Sequence, residues 1–154
     1  MIKVIKFKAD DATNSRKANV IRTKVFVEEQ HVDPELEYDG KDQYARHYLV
    51  LYDKKAIGTA RWRITGKGVK LERFAILPSF RNKGIGSELL GVIMKDVISL
   101  DKPVYLHSQL RAVPYYERYG FKKKGKKFTE AGIQHFLMIF EKNFLKDKNF
   151  FAKD

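Results

Sequence analysis

Residues 71–90, LERFAILPSFRNKGIGSELL, decide how this chain folds. An apolar run ends at a proline, and from Ile85 onward apolar residues recur at helical spacing, which predicts a strand followed by a helix. Gly84 and Gly86 stand where the strand gives way to the helix. Glycine is about 1 kcal/mol less favourable than alanine inside a helix. A turn that binds an anion through its backbone N–H groups would explain why glycine occurs here despite that cost.

The residue types of this turn suit a phosphate. The first N–H groups of a helix lack intrahelical partners and together form a positively polarised concavity. Glycine lets a phosphate approach without meeting a Cβ atom, and Arg81 and Lys83 add positive charge beside it. The spacing fits neither the P-loop pattern GxxxxGK[ST] nor the dinucleotide pattern GxGxxG. From these residues alone, the remaining alternative is a tight turn that binds no ligand.

The elements on either side of this turn follow from hydrophobic periodicity. The pattern predicts strands over residues 2–8, 48–52, 56–64, 69–77, 103–108, 121–127 and 136–142, and helices over residues 14–27, 85–100 and 113–119. Gly120 is placed to end the last helix as a C-cap. The order of the elements predicts a mixed α/β sheet rather than a doubly wound parallel one.

The composition fits one domain without cysteine. The 154 residues, 44% of them hydrophobic, suffice for a single core, so we expect one domain over residues 1–154. The absence of cysteine excludes disulfides, thiolate metal ligands and an acyl-cysteine intermediate, and it predicts a cytoplasmic protein. No apolar run is long enough to cross a membrane. The histidines lack the spacing of metal ligands, so no metal is expected; His47 and His135 are candidates for an acceptor pocket or for structural roles.

Charge is distributed unevenly along the chain. The net charge of +12 and the run KKKGKK at residues 122–127 invite a nucleic-acid interpretation, although the run is more typical of a solvated strand. Residues 28–42, EEQHVDPELEYDGKD, hold seven acids and one lysine. We call these residues the acidic segment. It is either a solvated loop or a patch that attracts a cationic substrate.

A second motif turns these patterns into a family resemblance. The stretch AVPYYERYGF, residues 112–121, follows the glycine turn by about 30 residues. Together the two motifs resemble the GNAT superfamily of acyl-CoA-dependent N-acetyltransferases, in which [RQ]-x-x-G-x-[GA] precedes a distal Tyr-x-x-x-Gly-Phe. The segments VFVEEQ and EYDGKDQYARHYLV in the N-terminal half are similar to those of a bacterial subgroup of small, uncharacterised GNAT proteins. The resemblance covers essentially the whole chain.

The resemblance implies a fold and a cofactor. It implies a mostly antiparallel central sheet of six to seven strands with helices on both faces, and acetyl-CoA as cosubstrate. The strands at residues 69–77 and 103–108 would splay apart to admit the cofactor. In the family, the turn holds the diphosphate of coenzyme A and the preceding strand pairs with its pantetheine. Here the diphosphate contacts fall on Arg81, Asn82, Lys83, Gly84, Ile85, Gly86 and Ser87, and the pantetheine contacts on Phe74, Ala75 and Ile76.

The resemblance also implies catalytic roles for an amine attacking the thioester directly. Tyr116 matches the position of the acid that protonates the leaving thiolate, and Tyr115 would take that role if the register were off by one. Glu72 matches a glutamate that some amine acetyltransferases use as a base, often through water. Regular strand alternation would place it on one face with Phe74 and Ile76. Its alternative role is a surface ion-pair partner for a lysine. A backbone N–H near residues 75 and 76 would stabilise the oxyanion.

Two other functions remain as alternatives to an N-acetyltransferase. One is a catalytically silent CoA-binding regulator; the other is a basic nucleic-acid-binding protein, although no RNP-like or helix-turn-helix pattern is present. For the enzyme, the expected partner is a small-molecule or peptide amine of open identity, with neither membrane nor nucleic acid. An edge strand and the aromatics Phe144, Phe150 and Phe151 would support a homodimer.

Overall fold

The computed structural model describes residues 1–144 as one seven-stranded sheet with helices on both faces. The strands are β1 Ile2–Phe7, β2 Ala45–Tyr52, β3 Lys55–Thr65, β4 Gly68–Ile76, β5 Val104–Gln109, β6 Phe121–Glu130 and β7 Ile133–Phe140. The helices are α1 Ala12–Arg22, α2 Pro34–Glu37, α3 Ile85–Ile98 and α4 Val113–Arg118, and a π-helical segment, Thr23–Glu29, continues α1. The order across the sheet is β1-β2-β3-β4-β5-β7-β6, antiparallel except between β4 and β5. The expected fold class is confirmed.

The two faces of the sheet carry separate hydrophobic clusters. Helix α3 contributes a buried stripe, Leu89, Leu90, Ile93, Met94 and Val97, to the larger cluster. Helix α1 contributes Ala18 and Ile21 to the smaller cluster on the other face. Along β2, Leu49 joins the smaller cluster while Val50 joins the larger one, as strand alternation requires. No helix within residues 1–144 combines the length and the apolar character needed to cross a membrane.

Strands β4 and β5 pair only at their beginnings. Their parallel register runs from Val69 opposite Val104 to Leu71 opposite Leu106 and then stops. The Val69 N–H also donates to the Pro103 carbonyl at 2.8 Å. Beyond Leu71, one edge of β4 faces no strand among the described residues. The expected splaying of these two strands is confirmed.

A β-bulge in β4 contradicts the expected face of Glu72. Between Thr59 and Arg61 of β3 lies one residue, whereas two residues separate their partners on β4, Ala75 and Glu72. The extra residue arises where Arg73 adopts a left-handed φ of 62°. Leu71 and Phe74 therefore pack into the same α3-side cluster.

Because neighbouring residues of a strand point to opposite faces, Glu72 lies on the face opposite Phe74 and Ile76. The expectation that Glu72 shares a face with Phe74 and Ile76, which requires an unbroken alternation, is therefore wrong.

The last hairpin and the first helix differ from their predicted bounds. Strands β6 and β7 meet at Ala131 and Gly132, whose positive φ angles of 52° and 76° suit a two-residue hairpin turn. Each strand thus extends about three residues further toward the turn than its apolar pattern indicated. The predicted helix over residues 14–27 is α-helical only to Arg22 and continues as a π-helix.

The exposed edges of the sheet bear on the predicted homodimer. The edge strand β6 exposes five lysines, Lys122, Lys123, Lys124, Lys126 and Lys127, and charged edges oppose edge-to-edge pairing. Phe144 packs against Phe140, with ring centroids 6.1 Å apart, and its side chain covers Gly120. It therefore serves the domain's own core. Phe150 and Phe151 lie outside the described residues, and the homodimer stays a prediction.

Candidate functional site

A cavity of about 420 Å³ opens where β4 and β5 separate. Its walls come from the π-helical segment and the acidic segment on one side and from β4 and the end of β5 on the other. Tyr116 of α4 and the β6–β7 turn complete it. The cavity thus lies beside the unpaired edge of β4, where the resemblance places the pantetheine contacts Phe74, Ala75 and Ile76.

The glycine turn presents a row of unpaired amides. Residues 82–87 donate no backbone N–H hydrogen bond to any acceptor within residues 1–144, and the first bond of α3 runs from the Glu88 N–H to the Gly84 carbonyl at 3.1 Å. Asn82 and Gly84 adopt left-handed φ angles of 62° and 78°. These angles turn successive N–H groups toward one concave side, a geometry that binds anions.

The two glycines of the turn differ in what they require. Gly84 needs its freedom because its φ is positive. Gly86 lies inside α3, and a Cβ there would meet only the Tyr115 hydroxyl, at an ordinary 3.5 Å. Nothing inside the described chain therefore demands glycine at position 86. A group that approaches from outside the chain would restrict this position to a small residue.

Two side chains assigned to the diphosphate by resemblance are already engaged in the protein. The Arg81 guanidinium donates to both carboxylate oxygens of Glu29, each at 2.7 Å, and to the Ile76 carbonyl at 2.8 Å. It ties the turn to the ends of β4 and of the π-helix. The Ser87 hydroxyl lies 2.7 Å from that of Tyr119. The Lys83 ammonium lies 5.8 Å from the centre of the Phe80 ring.

The two candidate tyrosines occupy different surroundings. Tyr116 lines the cavity, packs edge-on against Phe74 with ring centroids 6.3 Å apart, and hydrogen-bonds through its hydroxyl to none of the described residues. Burial raises its pKa, so the hydroxyl keeps its proton at neutral pH. Tyr115 instead turns toward the N-terminus of α3, where its hydroxyl lies 3.2 Å from the Ser87 hydroxyl.

Glu72 is held by three cations. Its carboxylate accepts from Arg63 at 2.6 Å and from Arg61 at 3.1 Å, and the Lys70 ammonium lies 3.3 Å away. Burial favours the neutral acid, but the Arg63 hydrogen bond and the charges of Arg61 and Lys70 outweigh it and lower the pKa to about 2. A carboxylate with so low a pKa and with occupied oxygens is a weak base. The Lys70 contact matches the ion-pair alternative, but in a buried rather than a surface position.

Three carboxylates of the acidic segment, those of Glu37, Asp39 and Asp42, are paired with buried arginines. Arg22, 2% exposed, donates to Glu37 at 2.7 Å and to Asp42 at 2.8 Å. Arg61, 1% exposed, donates to Asp39 at 2.9 Å and to Asp42 at 2.7 Å.

Glu37 and Asp39 line the cavity, and the charge of the arginines offsets theirs and that of Asp42. The solvated-loop interpretation is wrong for these three residues, and the patch for a cationic substrate stays a prediction that the ion pairs disfavour. The arginines responsible come from α1 and β3, distant in sequence.

A histidine–carboxylate pair that the sequence analysis missed lines the cavity. His107 Nδ1 lies 3.0 Å from Glu130 Oε1, while Nε2 makes no hydrogen bond to another described residue. The His107 hydrogen bond lowers the pKa of Glu130. His135 also lines the cavity, with Nδ1 donating to the Ile133 carbonyl at 2.8 Å. His47 lies elsewhere, bonded to the Asp42 carbonyl. Within residues 1–144 no group of three or more histidine, cysteine, aspartate or glutamate side chains is arranged to hold a metal ion.

Comparisons with known proteins agree on one family. A family model described as "Acetyltransferase (GNAT) domain" matches residues 9–142. The "Uncharacterized N-acetyltransferase YjcF" of Bacillus subtilis (strain 168) is 36% identical over 128 residues, covering 77% of this chain and 86% of YjcF. The "Uncharacterized protein YyaT" of the same organism is 36% identical over 125 residues, covering 79% of this chain and 84% of YyaT.

Solved structures show the same fold. Escherichia coli ElaA matches with a TM-score of 0.83 and 25% identity over 92% of this chain and 100% of ElaA. An acyl-CoA N-acyltransferase from Pseudomonas aeruginosa matches with a TM-score of 0.82 and 27% identity, again over 92% and 100%. The PaiA N-acetyltransferase of Thermoplasma acidophilum, solved in complex with coenzyme A, has a TM-score of 0.68 at 18% identity, covers 92% of this chain and 99% of PaiA, and supports the fold alone.

The ion pairs of Glu72 predict a pH-dependent stability. Glu72→Gln should lower the free energy of unfolding at pH 7 by about 3 kcal/mol, because it leaves buried cations uncompensated. The pKa of Glu72 falls from 4.5 to about 2 on folding, so its stabilisation is complete above about pH 5 and is lost as the pH falls toward 2. Urea unfolding at pH 7 and pH 3.5 should therefore show a smaller difference between wild type and variant at the lower pH.

The matched control is Glu141→Gln, which breaks the exposed pair with Lys122 and should cost less than about 1 kcal/mol. A Glu72→Gln effect as small as the control, or one that grows in acid, would show that the network does not stabilise the fold through the Glu72 charge.

Proposed function

Because the chain belongs to the GNAT acetyltransferase family, we propose that it transfers the acetyl group of acetyl-CoA to an amine by direct attack in a ternary complex. Acyl-CoA-dependent N-acyltransfer is the activity of its family; acetyl as the acyl group is our proposal. The observation that carries it is the row of unpaired amides at residues 82–87, directly beside the separation of β4 from β5. The amides offer a site for a diphosphate, and the gap offers room for the thioester arm.

For the cofactor, we propose that backbone amides do most of the binding at the turn. The diphosphate would accept hydrogen bonds from N–H groups of residues 82–87, with Lys83 as a nearby cation and Gly86 leaving room for the phosphate. Arg81 would act by holding the turn against β4, since Glu29 already occupies its guanidinium. The pantetheine amides would pair with the open edge of β4 at Phe74, Ala75 and Ile76.

For the reaction, the uncharged amine attacks the thioester carbonyl, an N–C bond forms, and the C–S bond breaks. A backbone N–H near residues 75 and 76 would hold the oxyanion. Tyr116 would give its proton to the departing thiolate. Its position in the cavity and its unpartnered hydroxyl support this role over Tyr115, whose hydroxyl lies against Ser87.

For the base, we propose His107 in place of Glu72. Glu72 is locked among three cations, whereas His107 lines the cavity with Nε2 unbonded to the rest of the described chain. If Glu130 accepts the Nδ1–H of His107, the tautomer is fixed and Nε2 carries the lone pair that takes the amine proton.

Residence in the cytoplasm stays a prediction, which rests on the absence of cysteine.

Gly86→Ala and Gly86→Val together test the diphosphate site. Alanine should leave the melting temperature of the free protein unchanged or higher, because it favours the helix by about 1 kcal/mol and meets only an ordinary contact. Since the family motif allows alanine at this position, Gly86→Ala should keep most of the CoA affinity. The branched side chain of Gly86→Val should obstruct the phosphate and weaken CoA binding at least tenfold, measured by calorimetry.

Gly66→Val, in a turn with open space around it, is the control and should leave CoA binding unchanged. Full CoA affinity in Gly86→Val would make the turn structural only. Failure of acetyl-CoA to bind the wild type or raise its melting temperature would refute the proposed function.

Tyr116→Phe tests the acid. Removing the hydroxyl should lower kcat about 100-fold with little change in acetyl-CoA affinity, because general acids typically contribute about 10²–10⁴-fold and a thiolate is a tolerable leaving group. Tyr115→Phe is the control, and thiol release should stay near the wild-type rate. A loss carried by Tyr115→Phe would move the acid to Tyr115, and no loss in either variant would leave the proton to water.

His107→Gln tests the base. It should lower kcat about 100-fold, and Glu130→Gln should lower it less and shift the pH–rate profile, because the histidine would remain but lose its carboxylate partner. Glu72→Gln, assayed below its melting temperature, should keep kcat within a few-fold of wild type. Thiol release measured from pH 6 to 9 separates the two candidates. A large loss of kcat in the folded Glu72→Gln protein, with an active His107→Gln protein, would restore Glu72 as the base.

A further inference from the structure

We propose that the acceptor is an amine that also carries an anionic group, a carboxylate or a phosphate, bound by Lys41 and Arg111 at the wall of the cavity. This inference rests on the proposed function and names the class of its acceptor. It is the opposite of the cationic substrate that the acidic segment suggested. It follows from the partners of each charged side chain in the cavity.

Each carboxylate of the cavity has a partner within the protein, and three of the four are in ion pairs with arginine or lysine. Four line it: Glu37, Asp39, Glu72 and Glu130. Glu37 contacts Arg22 and Arg73, and Asp39 contacts Arg61 and Arg73. Glu72 contacts Arg61, Arg63 and Lys70, and Glu130 lies 3.0 Å from His107, which is neutral in its proposed role as base. A cationic acceptor would have to displace an arginine or a lysine at Glu37, Asp39 or Glu72, or the catalytic histidine at Glu130.

The cations of the cavity are not all used. Lys41, Arg63, Lys70, Arg73 and Arg111 line it. Arg63, Lys70 and Arg73 contact the carboxylates just described. Among residues 1–144, no carboxylate oxygen lies within 4.0 Å of the Lys41 ammonium or the Arg111 guanidinium, although Arg111 contributes to the field that lowers the pKa of Glu29. These two side chains are the positive charges left for a ligand.

A positive wall also suits the chemistry of an amine acceptor. The attacking nitrogen must be uncharged, and nearby positive charge disfavours the ammonium form and lowers its pKa. A polyamine or an aminoglycoside would bring several ammonium groups against that wall, which costs binding energy. An amine with an anionic group elsewhere gains attraction at that group and keeps the nucleophile neutral. The cavity volume of about 420 Å³ fits a molecule of amino-acid size.

Matched pairs of acceptors test the charge directly. The carboxylate arm compares L-leucine with L-leucinamide, and the phosphate arm compares O-phosphoethanolamine with ethanolamine; spermidine represents cationic acceptors. Each is assayed for thiol release from acetyl-CoA. We expect kcat/KM at least tenfold higher for the anionic member of one pair than for its neutral member, and the preference should shrink as salt is raised. The pair that shows the preference identifies the anion.

Substitutions at Lys41 and Arg111 test whether these two cations cause the preference for the anionic acceptor. Arg111→Gln and Lys41→Gln should each reduce the ratio of kcat/KM between the anionic and neutral members, and the double variant should bring it near one. Lys127→Gln makes the same change in net charge on β6, outside the cavity, and should leave the ratio unchanged.

Three outcomes would overturn the proposal: a preference for the neutral members or for spermidine, a preference untouched by both cavity variants, and turnover of no anionic amine by protein that binds acetyl-CoA. Binding of acetyl-CoA is measured separately by calorimetry. A protein that does not bind it refutes the proposed function itself.

Discussion

The buried guanidinium of Arg61 joins the parts of the protein that surround the cavity. It lies on β3, is 1% exposed, and contacts Asp39 at 2.9 Å, Asp42 at 2.7 Å and Glu72 at 3.1 Å. One planar side chain thereby fastens the loop after α2 to the middle of the sheet. Arginine suits this task because its fork of donors stays charged when buried, and its pKa is raised further by these hydrogen bonds even though burial opposes the charge. Without it, each of these carboxylates would lose one charged partner, and Asp39 would keep only Arg73 and Asp42 only Arg22.

The bulge in β4 follows directly after the point where its pairing with β5 ends. A regular β4 would place Glu72 and Phe74 on one face. The extra residue at Arg73 instead sends Glu72 to the arginine network and Phe74 to the α3 side. The same strand can then line the acceptor cavity with polar groups and still anchor the core. Because pairing with β5 has ended by this point, the edge of β4 beside the cavity is open.

The fold was predictable from the sequence wherever the local pattern and the family motifs agreed. The glycine turn, the apolar stripe of α3 and the order of the strands are local signals, and the structure has each of them. The bulge was not predictable because its residue, Arg73, is neither glycine nor asparagine and disturbs no hydrophobic period. The His107–Glu130 pair was missed because its members lie on β5 and β6, which are not neighbours in the sheet but both pair with β7. Only the folded sheet brings the two side chains within 3.0 Å.

The electrostatics of the site also depended on pairings that no local pattern records. Seven acids in residues 28–42 indicate a negative surface only if their partners are unknown. In the fold, Glu37, Asp39 and Asp42 form internal ion pairs with Arg22, Arg61 and Arg73. The charge available to a ligand in the cavity is then set mainly by the cations that have no such partner.

These pairings change the interpretation of the net charge of +12. A basic surface around a cleft raises the local concentration of anions and speeds their association. Coenzyme A is itself an anion, so a basic chain suits a CoA-dependent enzyme without any nucleic-acid partner. If the acceptor is also anionic, one field serves both substrates, and the ion pairs of the acidic segment keep that field positive at the point where the two substrates meet.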